Sequence, residues 1–229
     1  MDGKRLEKEN YVLHFEGCDF ITKVWVNGEL AGSHRGGYSR FSFDITNLLK
    51  DGENELVVKA EDSFDMQQPR GKQRWIDENF GCWYVQTTGI WKTVWSEYVP
   101  KVNLASVKMT PVLEQHCLEL EYEVNAPESC FGENLAVAAT IRFDGMLVNK
   151  IVTTVMAGHV ETKADVFVRN DHGFEWGVRT WSPEQPDLYD IEFKLIKDGE
   201  TVDQAGSYFA MRDIRIDGPN ILLNGRPLY

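Results

Sequence analysis

The chain has 229 residues, 42% of them hydrophobic, enough for one large or two ordinary domain cores. Its 36 acidic against 24 basic residues give a formal net charge of -12, which repels polyphosphates and anionic lipid, so neither nucleic acid nor a membrane is an expected partner. Met1 to Asn10 has no apolar h-region and no stretch approaches the roughly 18 apolar residues that span a bilayer, so a cytoplasmic protein is expected.

The first half reads as strand after strand. Tyr11 to Glu16 and Phe20 to Val26 lead into Asn27-Gly28, a type I′ turn signal, after which Glu29 to His34 returns. In "FSFDIT", Phe41, Phe43 and Ile45 alternate with Ser42 and Asp44, the period of a half-buried strand. "NLLKDGENELVVKAED" predicts a short helical turn, an Asp51-Gly52 turn, and a strand with Leu56, Val58 and Ala60 on one face. "GIWKTVWSEYV" is expected to be one further strand, closed by Pro100.

Beyond Pro100 the organisation restarts. "CLELEYEV" alternates without error: Leu118, Leu120, Tyr122 and Val124 face one side, and Glu119, Glu121 and Glu123 the other. "LAVAATIRF", a strand after Asp144-Gly145, "VETKADVFV", "LYDIEFKLI" and "TVDQAGSYF" follow at sandwich spacing. No helical stripe is sustained, so the fold class is all-β, with two β-sandwich domains over residues 1–100 and 101–214. A tail over 215–229 contains Ile221-Leu222-Leu223 and an Asn224-Gly225 turn signal, with too few residues after it for a returning strand of ordinary length.

Candidate chemistry is sparse. Cys18, Cys82, Cys117 and Cys130 are scattered with no CxxC pair and no histidine at ligand spacing, so neither zinc nor any other metal or cofactor is expected. The apolar settings of Cys18 and Cys117 suit reduced, packed thiols. Glycoside hydrolysis needs two carboxyls roughly 5–5.5 Å apart in its retaining form. The obvious cluster, Glu119, Glu121 and Glu123, reads instead as the solvated face of a strand, and no catalytic residue is assigned.

One irregular stretch stands out, Glu61 to Trp91, "EDSFDMQQPRGKQRWIDENFGCWYVQTTGIW". It is long for a loop in a compact domain and too aromatic for disorder. Rigid rings beside amide, guanidinium and carboxylate groups suit a pyranose, whose C–H face lies on an aromatic ring while its hydroxyls need fixed partners. The candidate sugar-binding residues are Arg70, Lys72, Gln73, Trp75, Trp83 and Tyr84; the competing readings are core filling for the aromatics and a solvated turn for Arg70, Lys72 and Gln73. Trp91 and Trp95, alternating with Lys92 and Val94, are expected in a core or an interface.

The run "LHFEGCDFITKVWVNGELAGSHRGGYSRFSFDITNLLKDGENELVVKAED", with "QPRGKQ", "TTGIWKTVWSEYV" and "WSPEQPDLYDIEFKL", resembles family 2 glycoside hydrolases, the β-galactosidase, β-glucuronidase and β-mannosidase group. The resemblance covers nearly the whole chain and is nearest to β-galactosidase-like members. It implies a sugar-binding-type, jelly-roll-like sandwich followed by an immunoglobulin-like one. "FAMRDIRIDGPNILLNGRPLY" then matches the exit from the second domain and the hairpin that opens the family's TIM barrel. Both catalytic glutamates of the family lie in that barrel, so the expected role is a non-catalytic scaffold within a glycosidase acting on a carbohydrate substrate.

Two departures follow from the same comparison. Ten residues precede Tyr11, so the first sandwich reads as incomplete, with an open edge that favours a homo-oligomer. "GCWYVQTTGI" offers Trp83 and Tyr84 where β-galactosidases often place a sugar- and sodium-contacting Asp. Residues from about Gly218 onward are expected to be poorly ordered or held by a neighbouring chain. The rival readings are a stand-alone, lectin-like carbohydrate-binding module and an adhesion protein of tandem sandwiches.

Overall fold

The computed structural model describes residues 6–169 and 176–228. The chain folds as two units, Met1–Lys101 and Val102–Tyr229. Each is built of β-sheet packed on β-sheet.

The first unit contains β1 (Glu9–Phe15), β2 (Cys18–Asp19), β3 (Ile21–Val26), β4 (Glu29–Arg35), β5 (Phe41–Asp44), β6 (Leu56–Glu61), β7 (Gly89–Ile90) and β8 (Val94–Pro100). Two three-stranded antiparallel sheets, ordered β5-β1-β8 and β4-β3-β6, carry the core, and β2 pairs with β7. Alternation decides which side chains enter that core: Leu13 and Phe15 from β1 meet Val24 and Val26 from β3, with Ile45 beside them. Asn27 and Gly28 take positive φ, 54° and 86°, as a type I′ turn requires. The Asn27 side chain then donates to Leu48 O and Asn54 Oδ1 and accepts from the Glu55 amide, tying the hairpin to the segment before β6.

"GIWKTVWSEYV" is two strands, β7 and β8, separated at Trp91–Thr93. The amides of Trp91 and Lys92 both donate to Gly17 O, and the Trp91 indole donates to Gly37 O, which draws the chain off the ladder. Neither Trp91 nor Trp95 is in the core: they are 46% and 40% exposed. Alternation gives a strand two faces without saying which one is inside. The register pairs Trp95 with His14, on the face opposite to Leu13 and Phe15, so Val94 is the residue that faces inward.

The second unit contains β9 (Asn103–Val112), β10 (Cys117–Asn125), β11 (Gly132–Phe143), β12 (Met146–Val155), β13 (His159–Asp165), β14 (Val168–Arg169), β15 (Trp176–Gly177), β16 (Tyr189–Lys197) and β17 (Glu200–Phe209). Its sheets, β13-β10-β9 and β12-β11-β16-β17, enclose a core in which Leu118, Leu120 and Tyr122 face Leu135, Val137, Ile141, Tyr189 and Phe193. The glutamates of β10 point outward, and each has a basic partner: Glu119 with Lys163, Glu121 with Lys108, and Glu123 with His159. All four cysteines are unpaired, Cys18 and Cys117 being buried.

The last strands are β18 (Ile214–Asp217), β19 (Asn220–Leu223) and β20 (Arg226–Pro227), a three-stranded meander. Residues 218–228, expected to be poorly ordered or held by a neighbouring chain, are placed in the turns and strands of this meander. The Asn224 side chain accepts from the Asp213 amide and donates to Trp181 O, Leu223 is buried, and the two-residue strand β20 suffices to return. Ile214, Ile216 and Ile221, which share a face of this meander with the buried Leu223, are exposed, Ile216 by 81%.

Candidate functional site

Between β6 and β7 the irregular segment 62–88 is held by buried polar side chains rather than by ladders. Arg70, only 8% exposed, donates to three backbone carbonyls, those of Ser63, Asp65 and Arg74, and so gathers the first arm of the loop around one guanidinium. Gln73 donates from Nε2 to Asp19 Oδ2 at 2.8 Å and accepts the Thr87 amide on Oε1 at 3.1 Å, fixing the loop to β2 and to the segment before β7. Gln68 donates to Asp62 Oδ1 and Ser63 O.

A short backbone pairing brings the two aromatic stretches together. The Tyr84 amide donates to Lys72 O, and the Arg74 amide to Tyr84 O. Trp75 consequently stands edge-on to Trp83, ring centroids 4.6 Å apart, and edge-on to Phe80 at 4.9 Å. Such edge contacts are favourable arrangements of ring quadrupoles and hold the rings in place. Gly71 takes a φ of 57°, and a Cβ there would sit 3.2 Å from the Tyr38 hydroxyl, so the turn after Arg70 admits only glycine without strain.

These residues enclose an open cavity of ≈ 280 Å³ lined by Met66, Gln68, Arg70, Gly71, Gln73, Trp75 and Trp83. Its size is at the low end for small-molecule sites, near that of a single ring-sized ligand. Of the six sequence candidates, Arg70, Gln73, Trp75 and Trp83 come together on it. Arg70 spends its hydrogen bonds on loop carbonyls, and Gln73 spends its own on Asp19 of β2 and the Thr87 amide, so they position the site, while the tryptophans form its wall. Lys72 and Tyr84 are exposed and outside the lining. Met66, Gln68 and Gly71 were missed; the "MQQPRG" run, polar amides leading into Pro-Arg-Gly, is the signal that could have found them.

Among the described residues no carboxylate lines the cavity, so these residues offer no acid/base or nucleophile pair of the kind glycoside hydrolysis uses. What the arrangement can do is hold a single ring-sized ligand against aromatic side chains. Among the described residues, no group of three His, Cys, Asp or Glu side chains is placed to hold a metal ion.

Residues 1–98 match the glycosyl hydrolase 2 galactose-binding domain-like model, and residues 102–212 match glycosyl hydrolases family 2. A Formosa agariphila protein provisionally named β-glucuronidase is 31% identical over 225 residues, 94% of this chain and 25% of that protein. A β-galactosidase of Thermoanaerobacter pseudethanolicus is 25% identical over 98% of this chain and 29% of its own length. Among solved structures, Bacteroides uniformis β-glucuronidase 2, covalently bound to a cyclophellitol-6-carboxylate aziridine, is 25% identical with a TM-score of 0.72, over 97% of this chain and 27% of that one. The chain spans between a quarter and a third of these relatives. With the two family models matched in tandem over nearly its whole length, the chain belongs to glycosyl hydrolase family 2.

Proposed function

We propose that this chain is the non-catalytic N-terminal part of a β-galactosidase-like glycosidase that removes terminal β-glycosides in carbohydrate metabolism. The observation that carries this reading is the tandem match of both sandwich units to relatives several times as long, several of them named β-galactosidases. The family resemblance assigns both catalytic glutamates to a barrel beyond these sandwiches. The cavity of segment 62–88, with tryptophans and no carboxylate among the described residues of its wall, suits a part that shapes a sugar cleft without performing chemistry.

A second feature agrees. Ile214, Ile216 and Ile221 form an exposed apolar row on the meander, the sort of face that a larger neighbouring domain covers. The test is hydrolysis by the purified chain. Nitrophenyl β-D-galactoside and β-D-glucuronide are expected to release no nitrophenol above the blank; turnover abolished by a point change within the chain would contradict the assignment.

A further inference from the structure

We propose that the outer face of sheet β5-β1-β8 carries a second carbohydrate-binding surface, centred on Trp95, for the neutral pyranose units of a glycan. The surface belongs to the first unit and is built of residues that the cavity of segment 62–88 does not use.

Trp95 is a large apolar side chain placed on the solvent side of the sheet and held there. Its indole lies parallel to the His14 imidazole, ring centroids 4.0 Å apart and planes 14° apart. Its Nε1–H donates to Glu16 Oε1 at 3.0 Å, and the other oxygen of that carboxylate lies 3.2 Å from Arg40 Nη2. His14 Nε2 lies 3.2 Å from Glu97 Oε1, without hydrogen-bond alignment. The hydrogen bond from Trp95, acting with Arg40, His14 and Lys92, holds the Glu16 carboxyl below the ordinary glutamate range, so it stays an acceptor. What His14 and Glu16 leave uncovered is the exposed 40% of the residue, fixed in orientation before any ligand arrives.

The surroundings select the ligand. An apolar protein surface would need contiguous apolar area, but Trp95 is ringed by Glu16, Arg40, Glu97 and His14. A nucleobase could stack on the indole, yet its phosphates would meet two carboxylates on a chain of net charge -12. A neutral pyranose meets both demands: its C–H face covers the ring, and its hydroxyls find acceptors in Glu97 and Glu16 and a donor in Arg40.

The test follows the indole Nε1–H signals of the ¹⁵N-labelled chain during titration with cellotetraose and with β-1,4-galactotetraose, the Trp95 signal being assigned by its loss in Trp95→Tyr. A saturable shift of Trp95 with at least one of them is expected, weakened about tenfold or more in Trp95→Ala, the loss of an aromatic platform. Arg40 is 79% exposed in its side chain, so Arg40→Ala leaves the fold intact and is expected to weaken binding several-fold. A Trp95 signal unmoved by both oligosaccharides overturns the proposal. So do shifts confined to Trp75 and Trp83, which would place sugar at the segment 62–88 cavity alone.

Discussion

Gln73 donates its side-chain amide to the buried carboxylate of Asp19 across 2.8 Å, joining residues 54 positions apart. The pair has no slack around it: a Cβ on Gly37 would come within 2.5 Å of Asp19 Oδ1. Truncation to Gln73→Ala leaves a buried carboxylate oxygen and the Thr87 amide without their partner, and the first unit is expected to lose about 1–3 kcal/mol. The urea midpoint measures it. An unchanged midpoint would mean that the loop is not anchored through Gln73.

Arg70 and Lys72 are two positions apart and have opposite roles. Arg70 binds three carbonyls with one planar fork, which an ammonium group cannot reproduce. Arg70→Lys is expected to lower stability by about 1.5–3 kcal/mol. Lys72→Ala, at an exposed position, should stay within about 0.5 kcal/mol. Chemical denaturation of the two variants side by side checks the contrast.

Tyr122 is fully buried in the second core, its hydroxyl without a hydrogen-bond partner among the described residues, and burial pushes its phenol far above the ordinary range. Tyr189 in the same core differs: its hydroxyl accepts the Arg179 amide, and its phenol is pushed up to about 12. Removing an unpaired buried hydroxyl relieves a desolvation cost, so Tyr122→Phe is expected to stabilise the second unit by about 1 kcal/mol. Tyr189→Phe orphans an amide and should destabilise. Thermal melts of both variants test the signs.

His159 bridges two carboxylates, with Nδ1 2.7 Å from Glu123 Oε1 and Nε2 3.2 Å from Glu161 Oε1. The hydrogen bond to Glu123, then that to Glu161, raises its pKa above the ordinary 6.5. A raised folded-state pKa gives stability that is complete below the unfolded value and is lost as pH rises through the folded one. The wild-type midpoint should therefore fall on going from pH 6 to pH 8 by more than that of His159→Gln. Proton NMR titration of the imidazole should give a pKa above 6.5, lowered in Glu123→Gln.

Much of this fold was legible in the sequence because its signals are local. Period-2 alternation in "CLELEYEV" and the Asn-Gly turns each fix their own few residues, and β10 and both turns stand where those residues put them. Trp91 and Trp95 were not legible. Alternation leaves the choice of face to register, and register depends on Gly17 and His14, 74 and 81 positions away. The candidate loop was visible by composition, but the division of labour within it was not. Arg70 and Gln73 look as available for ligand as Lys72 until their partners, Ser63, Asp65 and Asp19, are brought beside them by the fold.

The proposed role in shaping a sugar cleft requires segment 62–88 to meet carbohydrate through its tryptophan wall. Its most direct measurement is titration of the intact chain with D-galactose and D-glucuronate while the indole Nε1–H signals of Trp75 and Trp83 are followed. A saturable shift at both, abolished by Trp83→Ala, is the predicted result. Signals unmoved by either sugar at saturating concentration, in a chain whose loop is folded, would contradict it.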